Sequence, residues 1–143
     1  MDPLATIAAR LDILELFATY AHTYDQGRLD RLGDLWTDDA TFEIRGSIGG
    51  FPNLLSGRDE IVAHMRDRHA ATRPAQRRHV ITNVLIEELD ESSARVSAYL
   101  LLGSTVEGQL SLPVTGRYED ELARTDDGWR IRRQVLTLDA SLV

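Results

Sequence analysis

The chain has 143 residues, of which 43% are hydrophobic and 27% charged, a length and composition that fit one globular domain and exclude a disordered or membrane-embedded chain. Its formal net charge of −7 leaves no basic surplus to neutralise a phosphate backbone, so nucleic acid is not an expected partner. There is no cysteine and no lysine, all 16 basic residues being arginine, which removes disulfides, thiolate chemistry and Schiff-base catalysis together.

From Ile7 the apolar residues Ile7, Leu11, Leu14, Ala18 and Ala21 recur at helical spacing, and Ile13, Phe17, Tyr20 and Tyr24 form a second stripe beside them. The spacing predicts a long helix that stops near Gly27, then a short one through Leu29, Leu32, Leu35 and Trp36. Asp38 and Asp39 lead into a strand over Ala40–Ile44, and the glycine-rich stretch Arg45–Leu55 reads as a loop able to cover a pocket. Ser56 and Asp59 resemble a capping box for a third helix through Ile61, Val62 and Met65 to about Ala71.

After Pro74 the pattern turns strand-like, with runs at Arg78–Glu87, Ala94–Leu102, Gln109–Leu122 and Trp129–Leu138. Three helices followed by a largely antiparallel sheet predict an α+β domain spanning 1–143, with the helices on one sheet face. No apolar run reaches the roughly 18 residues of a membrane span. The N-terminus lacks the basic start and apolar block of a signal peptide, so a cytoplasmic protein is expected.

Two ionisable residues fall on apolar faces. Asp25 lies on the helical line of Ile7, Leu11, Leu14, Ala18 and Ala21, and strand alternation puts His79 with Ile81, Asn83 and Leu85. Each has a plain structural reading: Asp25 could bond the backbone near Gly27 or pair with His22, and His79 could be a hydrogen-bonded core residue. Asn83 reads as a substrate donor or a satisfied structural amide. His22, Asp25 and His79 could also form a two-histidine, one-carboxylate metal site, provided helix and strand converge; His64 and His69, five apart, do not share a helix face. With Thr125–Gly128 as a hairpin loop, Asp120 faces Arg133 and Tyr118 faces Val135. The first pair reads as an ion pair over the core or as an anion-holding arginine.

The stretch Tyr20-Ala-His-Thr-Tyr24-Asp25, the following Gly27 to Trp36, then Arg78-His79 with Asn83, Gly116-Arg-Tyr118-Glu-Asp120-Glu-Leu122 and Gly128-Trp129-Arg-Ile131 with Arg133 together resemble the SnoaL-like, scytalone-dehydratase-like branch of the nuclear transport factor 2 superfamily. The resemblance spans almost the whole chain. It implies a cone-shaped, curved antiparallel sheet packed against three N-terminal helices around an apolar pocket. It also implies an aspartate–histidine dyad at Asp25 and His79, with Tyr20 and Tyr24 where pocket tyrosines stand in related dehydratases. Arg133 sits near an arginine of hexachlorocyclohexane dehydrochlorinase, whose lysine has no counterpart here.

The resulting expectation is a cofactor-free lyase or isomerase, most simply a dehydratase, acting on a small hydrophobic cyclic or polyketide-like compound, with no metal. A non-catalytic binding protein, a cyclase and an epoxide hydrolase are the alternatives on the same fold. Asn83, Arg133, Tyr118, Asp120, Phe51, Leu54 and Trp36 are the expected substrate contacts, and Arg45–Leu55 is the expected lid. A cone leaves an outer sheet face to cover, so a homodimer or homotrimer is expected, with Leu101 and Val114 at the interface.

Overall fold

The fixed φ of Pro3 suits the first turn of a helix, and Asp2 in front of it accepts from the backbone N–H of Ala5 at 2.9 Å. In the computed structural model, which describes residues 1–142, helix α1 runs Pro3–Asp25. It ends as the sequence predicts: Gly27 has φ +72°, and a Cβ there would lie 2.7 Å from the His69 ring, so the turn admits only glycine without rearrangement. Helix α2 (Leu29–Gly33) is brief, and Trp36 opens strand β1 (Trp36–Arg45) rather than closing a helix. A short β2 (Leu54–Ser56) lies inside the expected loop. Helix α3 (Arg58–Ala71) has Gly57, not Ser56, at its N-cap, and Glu60 rather than Asp59 accepts from the Ser56 backbone N–H at 2.9 Å.

Strands β3 (Gln76–Leu89), β4 (Ser93–Val106), β5 (Gln109–Thr125) and β6 (Gly128–Leu138) follow. One sheet in the order β2-β1-β6-β5-β4-β3 results. The β1–β6 pairing is parallel and the others are antiparallel. The sheet is curved and unclosed, with the helices packed against it. Alternation along β4 buries Ala94, Val96, Ala98, Leu100 and Leu102, and along β5 it buries Val114, Tyr118 and Leu122. Among the described residues no helix is long and apolar enough to cross a membrane.

Four sequence expectations are corrected here. On α1 the core stripe is Ala9, Ile13, Phe17, Tyr20 and Tyr24, while Ile7, Leu11 and Leu14 stay 56%, 61% and 45% exposed. A helix lying on a single sheet buries only one broad stripe, and the aromatic one removes more area from water. Val114 faces the core, not the outside. At Asn83 the β3–β4 register shifts between Thr82 and Leu85, and Asn83 takes φ +52°. This bulge breaks the alternation that grouped Asn83 with His79, so its side chain is exposed.

The fourth correction concerns the last hairpin. Arg124 pairs with Trp129 and Leu122 with Ile131 as expected, but the register shifts between Glu121 and Leu122. Beyond it Asp120 faces Gln134 and Tyr118 faces Leu136. A slip of one residue exchanges the faces, so Gln134 is buried and Arg133 is exposed, 3.7 Å from Glu121.

Candidate active site

The C-terminal end of α1 lies against the first half of β3, and the two elements bring Asp25 to His79. His79 Nδ1 stands 2.6 Å from Asp25 Oδ1, and the backbone N–H of His79 donates to Asp25 Oδ2 at 2.9 Å. Both side chains are nearly enclosed, at 7% and 6% exposure. A carboxylate only accepts, so this contact puts the ring proton on Nδ1 and leaves a lone pair on Nε2. Burial pushes the imidazole below its ordinary value; the bond and charge of Asp25 oppose this, and the charge of Arg77 adds to it. The contact is then a hydrogen bond to neutral histidine near pH 7 rather than a full ion pair. His22 is exposed and does not join them.

The His79 ring stacks on Tyr24 with centroids 4.7 Å apart, and Tyr24 meets Tyr20 edge-on at 6.3 Å. Burial raises the phenols of Tyr20, Tyr24 and Tyr118 above their ordinary range, so all three are neutral hydroxyls. These residues and His79 line one cavity with Phe42, Phe51, Met65, Leu100 and Val114 among its apolar walls. About 50 Å³ of it is open to a water-sized sphere, within about 500 Å³ of space that merges with solvent at the mouth.

Behind the cavity runs a buried polar chain. Tyr20 donates to Gln134 Oε1 at 3.3 Å, and Gln134 Nε2 donates to Asp120 Oδ2 at 2.8 Å. Asp120 is 1% exposed, Oδ1 has no partner, and burial raises its carboxyl well above the usual range, against the smaller effect of the Gln134 bond. Burial thus favours its neutral form, and Asp120 braces Tyr20 through Gln134 instead of forming an ion pair.

The other expected contacts divide. Phe51 lines the cavity, whereas Leu54 is 59% exposed on β2. Trp36 is buried against Tyr20 and Phe42 but does not line the cavity. Asn83 and Arg133 are outside it for the register reasons above. Two arginines absent from the sequence expectation are present instead, Arg68 from α3 and Arg77 from β3. Arg77 precedes His79 by two, so the alternation that points His79 inward points Arg77 inward as well.

The comparisons agree with this architecture. Residues 5–135 match the SnoaL-like domain family. An uncharacterized protein of Mycobacterium tuberculosis is 30% identical over 141 residues, 96% of this chain and 90% of that protein. The gamma-hexachlorocyclohexane dehydrochlorinase of Sphingobium indicum is 26% identical over 137 residues, 94% and 83% of the two chains. A crystal structure of an NTF2-like protein with a cystatin-like fold from Novosphingobium aromaticivorans superposes with a TM-score of 0.82 at 24% identity, covering 95% of this chain and 85% of that one. By sequence match the chain belongs to the SnoaL-like family, and its fold is the NTF2-like, cystatin-like one.

Proposed function

We propose that this protein is a cofactor-independent lyase, most simply a dehydratase, whose proton-transfer base is His79 held by Asp25. The reading rests on one observation above all: a nearly enclosed imidazole whose Nδ1 is tied to Asp25 at 2.6 Å in the wall of a largely apolar cavity. Nε2 takes a proton from a carbon acidified by a neighbouring carbonyl. The C–H electron pair becomes a double bond, and the group on the adjacent carbon departs with its bonding pair. A hydroxide leaving group collects a proton from the new imidazolium and departs as water. Tyr24, a neutral phenol stacked on His79, is the candidate donor to the substrate oxygen.

Membership of the SnoaL-like family and the distant likeness to a dehydrochlorinase support lyase-type chemistry. The test is a screen of cyclic β-hydroxyketones for loss of water, run with the wild type and His79→Ala side by side. Turnover that drops by about 10²–10⁴-fold in the variant supports the reading. Turnover that survives His79→Ala refutes the assignment of the base, and tight ligand binding with no turnover of any compound would leave a binding protein as the better description.

A further inference from the structure

Arg77 is 7% exposed, lines the cavity beside His79, and its Nη2 is buried without a hydrogen-bond partner. A guanidinium in that state is unfavourable, because the water it loses on burial is not replaced unless an opposite charge or a full set of acceptors compensates. Its guanidinium carbon lies 4.8 Å from the Tyr24 ring centroid, a cation–π contact that gives Nη2 no hydrogen-bond acceptor. Among the described residues neither Arg77 nor Arg68 is within ion-pair distance of a carboxylate. Arg68, the second arginine of the cavity, reaches only the Gly49 carbonyl, with Nη1 donating at 3.4 Å. The acid of the site, Asp25, is occupied by two nitrogens of His79.

The field of Arg77 is felt throughout the site. Its charge contributes to pushing down the bases Arg68, His69 and His79, and it opposes the burial-driven rise of the Tyr24 phenol. Two guanidinium charges against one carboxylate make the cavity locally positive in a chain whose net charge is −7.

We propose that Arg77, assisted by Arg68, is an anion-binding subsite, and that the physiological ligand is a hydrophobic molecule carrying an anionic oxygen, a carboxylate or an ionised phenol or enol, held beside the dyad. The apolar walls take the body of such a molecule and Nη2 of Arg77 takes the oxygen, the charge-assisted contact that arginine makes best. The substrate class deepens the lyase reading and rests on it. The subsite itself is testable in binding alone, where no proton is transferred, so its failure and the failure of the dyad are told apart.

The experiment is an NMR titration of the wild type near neutral pH with benzoate and with its neutral isostere benzamide, and with 4-nitrophenol above and below its ionisation. A charge-assisted bond predicts that an ionised probe binds about ten- to a hundredfold tighter than its neutral counterpart. Preference for benzoate assigns a carboxylate, and preference confined to ionised 4-nitrophenol assigns a phenolate or enolate. In Arg77→Met, which keeps the length of the side chain without its charge, the preference should vanish, and in Arg77→Lys it should be partly retained; melting curves establish that both variants fold. No discrimination between charged and neutral probes in the wild type, or discrimination that persists in Arg77→Met, overturns the proposal.

Discussion

Replacing Asp25 by asparagine changes one atom of the site and, on the geometry, reverses a proton. The backbone N–H of His79 points at Oδ2 from 2.9 Å and His79 Nδ1 stands 2.6 Å from Oδ1. The carbonyl oxygen of an asparagine must serve the backbone donor, because an amide NH₂ there would face another N–H. That puts the NH₂ against Nδ1, where it donates, so the ring proton moves to Nε2 and the lone pair leaves the cavity. The stability lost is the difference between a charge-assisted and a neutral hydrogen bond, about 1 kcal/mol. The rate lost is that of a misprotonated base, about 10²–10⁴-fold, equivalent to about 2.7–5.4 kcal/mol of barrier. The two effects are well separated in size.

Long-range ¹H–¹⁵N correlation spectra of the histidine rings read the tautomer without any substrate. The wild type should be protonated at Nδ1 and Asp25→Asn at Nε2. An Nδ1–H tautomer in both proteins, or turnover within about threefold of wild type once an activity is in hand, refutes the reasoning, since an effect that small is far from the loss of a general base. The same spectra follow pH. Because burial outweighs Asp25 at His79, the wild-type imidazole should titrate below the ordinary 6.5 or so of free histidine. Removing the Asp25 charge should lower it further. The sign for stability follows from the same inequality: as pH falls through about 6.5 the unfolded chain takes up the proton before the folded one does. Stability present at higher pH is therefore lost on acidification until the folded pKa is passed.

The buried Asp120 predicts the opposite slope: its raised pKa means a contribution present at low pH that is lost as pH rises toward the folded value. Asp120→Asn keeps an acceptor for Gln134 and cannot ionise, so its melting temperature relative to wild type should climb with pH; a difference that does not change with pH contradicts a neutral Asp120. The outer sheet face leaves Tyr99, Leu101 and Leu110 exposed, and we expect a dimer or trimer that Leu101→Glu with Tyr99→Glu dissociates; light scattering showing a monomeric wild type at micromolar concentration rules this out. The loop between β1 and β2 is pinned at its base by Asn53, whose Nδ2 donates to the Ile44 and Gly46 carbonyls, and the Gly49 backbone N–H donates to the Leu142 carbonyl. At its tip, a Cβ added to Gly50 would meet nothing within 4 Å, so hydrogen exchange should be fast at Gly50 and slow on ligand binding, and exchange already slow there in the empty protein speaks against a lid.

The order of elements was readable because helical and strand periods differ, and alternation puts His79 on an inward face as the structure does; the line of Ile7, Leu11 and Leu14 that carries Asp25 is exposed, and the carboxylate is buried only because the end of the helix meets β3 at His79. What alternation could not supply was register. Two bulges, one at Thr82–Leu85 and one at Glu121–Leu122, each shift the strand by a residue, and that is enough to turn Asn83 and Arg133 outward and Gln134 inward. No local sequence signal at Glu121–Leu122 announces the shift. Asn83 does carry one, since asparagine tolerates the left-handed conformation it adopts here. The choice between the two stripes of α1 was likewise open in the sequence, because both are apolar and only packing against the sheet decides between them. Arg77 was readable and was missed: an arginine two before an inward histidine is easily assigned to the solvent, yet the period places it on the same face.

The bulge in β3 also explains how an edge strand can carry a charged site. Before it, the strand directs Arg77 and His79 inward beneath the end of α1, where the last turn supplies Asp25. After it, Asn83 and Leu85 are exposed and the strand is a solvated edge. An edge strand has one side free of ladder partners, and here the backbone N–H of His79 on that side is taken by Asp25 Oδ2. One carboxylate thus satisfies an edge donor and orients the imidazole of the same residue. The position of the imidazole is consequently fixed by main chain as well as side chain, which is the preorganisation the proposed proton-transfer role needs if the geometry is to be set before the ligand enters.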